Sequence, residues 1–452
     1  MGLRDRLQRS QTGTFPTPVM PGTGASQSVS AEAYQSLKGE LHKGLIDKLD
    51  LRTIDQLTRE QLREELRQIL GVVLAGTELP LNRAERELLF EELLDEVTGL
   101  GPLEPLLRDP SISDILVNTY STVYVERFGK LELTAVRFRD NEHLTQIINR
   151  IVARVGRRVD DASPMADARL ADGSRVNAII PPLSIDGPVM SIRRFGGKPL
   201  RFKDMLRIGS ITPDMVGFMG ACVQAKLNIL ISGGTGTGKT TMLNAMSSFI
   251  PDGERVVTIE DAAELQLQQR HVVRLETRPP NIEGRGEVLA RDLVKNALRM
   301  RPDRIIIGEC RGGEILDMLQ AMNTGHEGSM TTVHANTARD ALSRIESMVG
   351  MGSVSLSETL TRQTISRAIN IIVQLTRGTD GRRRISSVSE ITGMEGPVIT
   401  TQEIFRFDQK GTDKEGKILG EYRATGLRPK SMERIERYGI NPADVVRELM
   451  EG

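Results

Sequence analysis

Apolar residues change texture three times along the chain. Between Leu51 and Leu74, and again from Asn82 to Leu100, leucines recur among Glu and Arg as in amphipathic helices. Asn82 and Glu85 are spaced as an N-cap and its capping-box partner, so residues 31–100 are expected to form a small helical bundle. From Ser111 the pattern shortens to the strands ISDILVN, VYVER and KLEL, the last two reading as a hairpin about Phe128-Gly129. One helix interrupts them, because Leu144, Ile147, Ile148, Ile151, Val152 and Val155 keep the spacing of a single buried helical face. Strands resume around the Asp172-Gly173 turn and end at VMSIRRF. These elements predict an α+β domain over 101–195, and Gly196, Gly197 and Pro199 mark a linker or hinge over 196–211. Thr212-Pro213 is an N-cap followed by proline at the first helical position. Beyond it the apolar strands NILIS, RVVTIE, VVRLE, RIIIGE and SMTTVH alternate with helices such as Glu287–Met300 and Gly313–Asn323. Continuous apolar strands between helices predict an α/β domain over 212–452 with a mostly parallel sheet covered on both faces. Its C-terminal extension adds β segments from Ile371 to Thr425, turning at Gly381, and a last helix at Pro442–Met450.

At 452 residues the chain exceeds one ordinary core. Residues 10–30 are largely Ser, Thr, Pro and Gly with little to bury, so 1–30 reads as a disordered leader. Met1 to Gln11 is charged and lacks the apolar stretch of a secretory signal. Uninterrupted apolar runs such as Val72–Ala75 and Ile371–Val373 fall far short of the roughly 18 residues that span a bilayer. A cytoplasmic location with a peripheral membrane role is therefore expected. The 60 Lys and Arg cancel the 60 Asp and Glu, so attraction to nucleic acid or anionic lipid is not a property of the whole chain. Aromatics at 3%, with no Trp, argue against a base-stacking surface. Cys222 and Cys310 fit no metal-binding spacing and read as small core residues.

Chemistry enters at Gly233-Gly234-Thr235-Gly236-Thr237-Gly238-Lys239-Thr240, which continues the strand NILIS, opens a helix and satisfies the phosphate-loop pattern. Residues Gly233 to Thr241 are the expected nucleotide-binding segment. Backbone N–H groups there can fold around phosphates, Lys239 can neutralise β and γ charge, and the Thr240 hydroxyl can ligate Mg²⁺. ATP and Mg²⁺ are the expected cofactors. Hydrolysis also needs acidic residues at the ends of neighbouring strands. Glu260 and Glu309 end two of them, with Asp261 and Glu264 close behind the first. Singly, each carboxylate would more often be a helix cap or a solvated strand end; together after a phosphate loop they point to water activation or Mg²⁺ contact by Glu309, and to supporting orientation and metal by Glu260. His326 and His334 are candidate sensors of a γ-phosphate, although a lone histidine also fits a satisfied core position.

The residues now resemble a family, the secretion ATPases, and within it the CpaF/TadA-like motors of tight-adherence (Flp) pilus systems. The likeness runs from about Leu93 to Thr425. Besides the phosphate loop it rests on TIEDAAELQL (258–267), LRMRPDRIIIGECRGGE (298–314), MNTGHEGSMTTVHANT (322–337), GLGPLEPLLRDPSISDILVN (99–118) and DARLADGSRVNAIIPP (167–182). Cys310 departs from the aliphatic residue more often found there. The resemblance implies a RecA-like ATPase domain in a homo-hexamer, with an N-terminal domain packed over a neighbour's nucleotide. It also implies a polytopic platform protein of the inner membrane as partner, with pilin moved indirectly. No tetracysteine zinc insertion is present, which favours the tight-adherence branch or its type IV secretion relatives.

Local charge fits that picture. Residues 137–207 hold 14 Lys and Arg against 8 Asp and Glu, whereas residues 31–100 hold 9 against 15. Arg169, Arg175, Arg193 and Arg194 lie in the stretches resembling the family's arginine-bearing region and are expected to contact phosphate across a subunit interface. Two rival readings stand beside the motor: a nucleic-acid translocase on the same ATPase core, and a docking protein that binds ATP without useful turnover.

Overall fold

The computed structural model describes residues 82–127, 129–195, 200–280, 285–352 and 356–451, with isolated positions between 38 and 67. The expected leader, most of the helical segment 51–74 and the Gly196-Gly197 hinge lie outside the described residues. Packing separates residues 1–108 with 136–147 from residues 109–135 with 148–452, so the expected linker over 196–211 falls inside the second unit.

In the first unit, α1 (Arg83–Thr98) starts at the capping box its sequence announces. Asn82 Oδ1 accepts from the Glu85 N–H at 2.9 Å, and Glu85 Oε2 accepts from the Asn82 N–H at 2.8 Å. The buried Asp95 pairs with Arg108 at the end of α2 (Glu104–Arg108), and the equally buried Glu96 meets His143 Nε2 at 2.9 Å.

The second unit holds two sheets. The smaller comprises β1 (Ile112–Thr119), β2 (Thr122–Arg127), β3 (Lys130–Leu133), β4 (Met165–Arg169), β5 (Arg175–Ile179) and β6 (Val189–Arg193), in the order β3-β2-β1-β6-β5-β4 with antiparallel pairing. Helix α3 (Asn141–Ala153), whose residues up to Ile147 belong to the first unit, buries Leu144, Ile147, Ile148, Ile151 and Val152. Val155, expected on the same face, is 41% exposed instead. The helix stops short of it because Gly156 turns left-handed at φ +69°, and Val155 and Gly156 donate to Val152 and Ala153 in a closing turn.

The larger sheet grows from α4 (Phe202–Arg207), α5 (Pro213–Gln224), β7 (Ile229–Gly233), α6 (Lys239–Ser247), β8 (Val256–Glu260), β9 (Val272–Glu276), α7 (Ala290–Ala297), β10 (Arg304–Ile307), α8 (Glu314–Asn323), β11 (Met330–Val333), α9 (Ala338–Gly350), α10 (Glu358–Ala368), β12 (Ile371–Arg377), β13 (Arg383–Glu395), β14 (Val398–Thr412), β15 (Ile418–Ala424), α11 (Ser431–Arg437) and α12 (Pro442–Glu451). Strand order is β15-β14-β13-β12-β7-β11-β10-β8-β9, parallel from β12 to β9 and antiparallel from β12 out to β15. The expected α/β architecture is observed, and the C-terminal β segments extend the same sheet. Its central strands read as unbroken apolar runs because each face meets its own core. Ile229 and Ile231 face a cluster built with Met219, Met242 and Leu243, whereas Leu230 between them faces Ile315, Leu319 and Ile345.

At the amino edge of this sheet, Asn228 uses its whole side chain. Its Oδ1 accepts from the Gly328 and Ser329 N–H groups at 2.8 and 3.1 Å, and its Nδ2 donates to the Met322 and Ala368 carbonyls at 3.2 and 2.7 Å. Its backbone N–H donates to Asn370 Oδ1 at 2.8 Å. One residue thereby ties the starts of β7, β11 and β12. Asn228→Ala strands several buried backbone groups and is expected to lower unfolding free energy by about 3 kcal/mol or more, measured by urea denaturation.

Candidate functional site

Register brings the carboxyl ends of four parallel strands to one edge. Ser232 lies opposite Val333, Thr331 opposite Ile307, and Ile307 opposite Ile259. The strand exits therefore converge: Gly233 and its loop after β7, Glu260 at the end of β8, Glu309 just past β10 and His334 just past β11. A cleft of ≈ 710 Å³ opens there, lined by residues 234–241 together with Glu260, Glu309 and His334.

The loop curls because Gly236 and Gly238 adopt left-handed φ of +70° and +97° before α6 begins at Lys239. Lys239 Nζ donates to the Gly233 and Gly234 carbonyls at 3.0 and 3.2 Å and stands 4.0 Å from Glu309 Oε1. Burial lowers the pKa of this ammonium; the Glu309 charge opposes that shift and Arg311 adds to it. Glu309 is clamped from its other side by Arg311, whose Nη2 and Nε lie 2.6 and 2.9 Å from Oε2, while Arg311 Nη1 is 3.4 Å from Asp261. Glu260 is 5% exposed, and its Oε2 accepts from the Glu264 and Leu265 N–H groups at 2.7 and 2.9 Å. Its Oε1 is buried without a partner in the described structure. Burial raises the carboxyl pKa, opposed by those two N–H donors.

The opposite wall comes from the six-stranded sheet. Register sets one row of directly opposed residues across it: Arg169, Arg175, Arg193, Asp114, Glu126 and Leu131. Three like charges on adjacent strands repel, and each meets an acid: Arg169 meets Glu276 at 3.1 Å, Arg175 meets Glu264 at 3.1 Å and Arg193 meets Asp114 at 3.3 Å. Arg175 also donates to the Ala262 carbonyl at 2.8 Å. Arg194 leaves the row and donates to the Asp109 and Ile112 carbonyls.

Thus the phosphate loop, Glu260, Glu309, His334, Arg175, Arg193 and Arg194 share one cleft. Gly233 sits beneath it as the last residue of β7, and Arg169 stands at the end of the row, outside the cleft wall. One expected site residue lies elsewhere. His326 precedes β11 while His334 lies beyond it, so the intervening strand carries His326 to the amino edge; there its carbonyl accepts from Ser329 Oγ at 2.6 Å. In the described chain Arg175, Arg193 and Arg194 line the cleft that holds its phosphate loop. Arg311, Arg344, Arg377 and Arg383 also line the cleft, although the sequence patterns did not single them out. The crowded RGTDGRRR about the Gly381 turn was the available signal for two of them.

The family described as type II/IV secretion system protein matches residues 96–420, and the N-terminal domain of type II secretion system protein E matches residues 34–98. A putative conjugal transfer protein of Mycobacterium tuberculosis is 38% identical over 68% of this chain and 88% of its own length. The conjugal transfer protein TrbB of Rhizobium radiobacter is 33% identical over 64% of this chain and 86% of its own. Among solved structures, the VirB11 ATPase of the Brucella suis type IV secretion system is similar at 30% identity, covering 64% of this chain and 92% of that one with a TM-score of 0.36.

Because folding raises the Glu260 pKa, its contribution to stability is present below the unfolded-state value and lost as pH climbs through the raised folded value. Glu260→Gln is expected to flatten that decline. The variant should melt above the parent at pH 8, with the gap closing as the buffer is acidified.

Proposed function

The chain belongs to the type II/IV secretion system protein family, and from that premise we propose that it is an ATP-hydrolysing motor powering a pilus-assembly or secretion machine. One observation carries the reading: a phosphate loop, two strand-end carboxylates and an arginine-bearing wall meet in a single cleft. Phosphoryl transfer asks little covalent work of a protein and much positioning and charge stabilisation. In the proposed site residues 233–241 wrap the phosphates and Lys239 neutralises β and γ charge. Glu309 orients the attacking water, its carboxylate steadied by Arg311. Arg175, Arg193 and Arg194 stabilise charge developing on the transferred phosphoryl, with Arg169 supporting the row and His334 acting as a donor toward the γ-phosphate. The neighbouring cavity of ≈ 900 Å³ shares Thr237, Gly238 and Thr241 with the cleft and adds Met205, Ile211 and Ile385, an apolar bed suited to a nucleoside.

The donors fit magnesium. The Thr240 hydroxyl and the carboxylates of Glu260 and Glu309 are hard oxygens, and Glu260 keeps one buried oxygen without a partner. Magnesium keeps water and phosphate oxygens in its shell, so a few protein oxygens of this kind are enough to hold it. Bound there, the ion would offset negative charge on the phosphates.

In this reading the motor works as a homo-hexamer on the cytoplasmic face of the inner membrane, gripping a polytopic platform protein. No helix among the described residues is long and apolar enough to cross a membrane. The finer assignment is tight-adherence (Flp) pilus assembly, carried by the motif stretches around the phosphate loop. A second reading, a type IV secretion-type transport ATPase, is favoured by the conjugal-transfer relatives. A membrane pull-down separates them: a platform protein with pilin supports the first, a conjugation or secretion apparatus the second. ATPase stimulation by DNA that fades steeply with salt would instead indicate a nucleic-acid translocase.

Lys239→Ala is expected to abolish phosphate release. Glu309→Gln should bind a fluorescent ATP analogue as the parent does while turnover falls about 10²-fold or more. Near-normal turnover of the Gln variant contradicts the role given to Glu309.

A further inference from the structure

Arg311 and the three arginines of the row already face carboxylates. Arg377 differs: it ends β12 and makes no ion pair among the described residues. Its Nη2 donates to the Gly129 carbonyl, in the turn between β2 and β3, at 3.0 Å. Glycine suits that turn because φ is +81°, and a Cβ there would stand 2.6 Å from that nitrogen. The other arm of the fork overhangs the phosphate loop, with Nη1 3.5 Å from where a Cβ on Gly236 would sit. Arg377 accordingly lines both the phosphate cleft and the adjoining apolar cavity. The hairpin that carries it is firm. Asp380 and Arg384 form a buried ion pair, Asp380 Oδ2 also accepts from the Ile418 N–H at 3.1 Å, and Arg384 lies over the Phe407 ring at 5.4 Å.

We propose that Arg377 reads the occupancy of the phosphate loop and relays it to the six-stranded sheet, Nη1 taking a phosphate oxygen while Nη2 keeps the Gly129 carbonyl. The relay rests on the nucleotide reading above. A filled loop fixes the guanidinium at both ends and tightens the β2–β3 turn; an empty one leaves a single anchor. Arginine suits the task because its planar fork presents separate donors in fixed directions, whereas a lysine ammonium is a compact point charge that cannot span both contacts.

The test is nucleotide affinity, read with a fluorescent ATP analogue and Mg²⁺, together with hydrogen–deuterium exchange at residues 129–133 of the full chain. In the parent, nucleotide should slow exchange in that turn. Arg377→Ala should bind about tenfold more weakly and lose the slowing even at saturating nucleotide. Arg377→Lys retains the charge and should bind within about threefold of the parent, yet also lose the slowing. A variant that still shows nucleotide-dependent slowing overturns the relay, as does a parent that binds nucleotide without it. A parent that binds no nucleotide overturns the nucleotide reading itself, a distinct failure.

Discussion

Asn228 sits where three parallel strands begin, and its saturated hydrogen bonding holds their register. Arg304, fully buried at the start of β10, does the same for its neighbours: it donates to the Val223 and Gly328 carbonyls at 2.7 and 3.3 Å and pairs with Glu254. Buried polar groups of this kind are tolerable only when every bond is made. Once they are made, the strands emerge level at the opposite edge, and the phosphate loop, Glu260, Glu309 and His334 come together. The accuracy of the cleft is set on the side of the sheet where no chemistry occurs.

Charge organises the other wall. A row of Arg169, Arg175 and Arg193 on neighbouring strands would repel itself if left alone. Glu276 and Glu264 come to it from the end of β9 and the loop after β8, so the acids that balance the row also join the six-stranded sheet to the strand-end loops. The neutral total of the chain therefore conceals opposed groups brought face to face. Arg377 adds a connection of another kind, from β12 to the Gly129 backbone carbonyl.

Much of this was legible because the signals were local. The capping box at Asn82, the apolar runs of the parallel strands and the glycine-rich loop each depend on residues adjacent in sequence. The misses have equally definite causes. Val155 continued the helical pattern, but a left-handed Gly156 ended the helix before the pattern did. His326 and His334 are near in sequence, yet a four-residue strand between them spans about 13 Å. Arg377 and Arg383 reach the cleft from the end of β12 and the start of β13, more than a hundred residues past the phosphate loop in sequence, so nothing beside that loop pointed to them.

The central proposal is that the phosphate loop and the arginine-bearing wall form one nucleotide cleft. Its most direct test is an experimental structure of the full chain with Mg²⁺ and a non-hydrolysable ATP analogue. With the analogue bound, the triphosphate should lie on residues 234–241 and face Arg175, Arg193 and Arg194. A triphosphate bound away from residues 234–241, or out of reach of all three arginines, would contradict this reading.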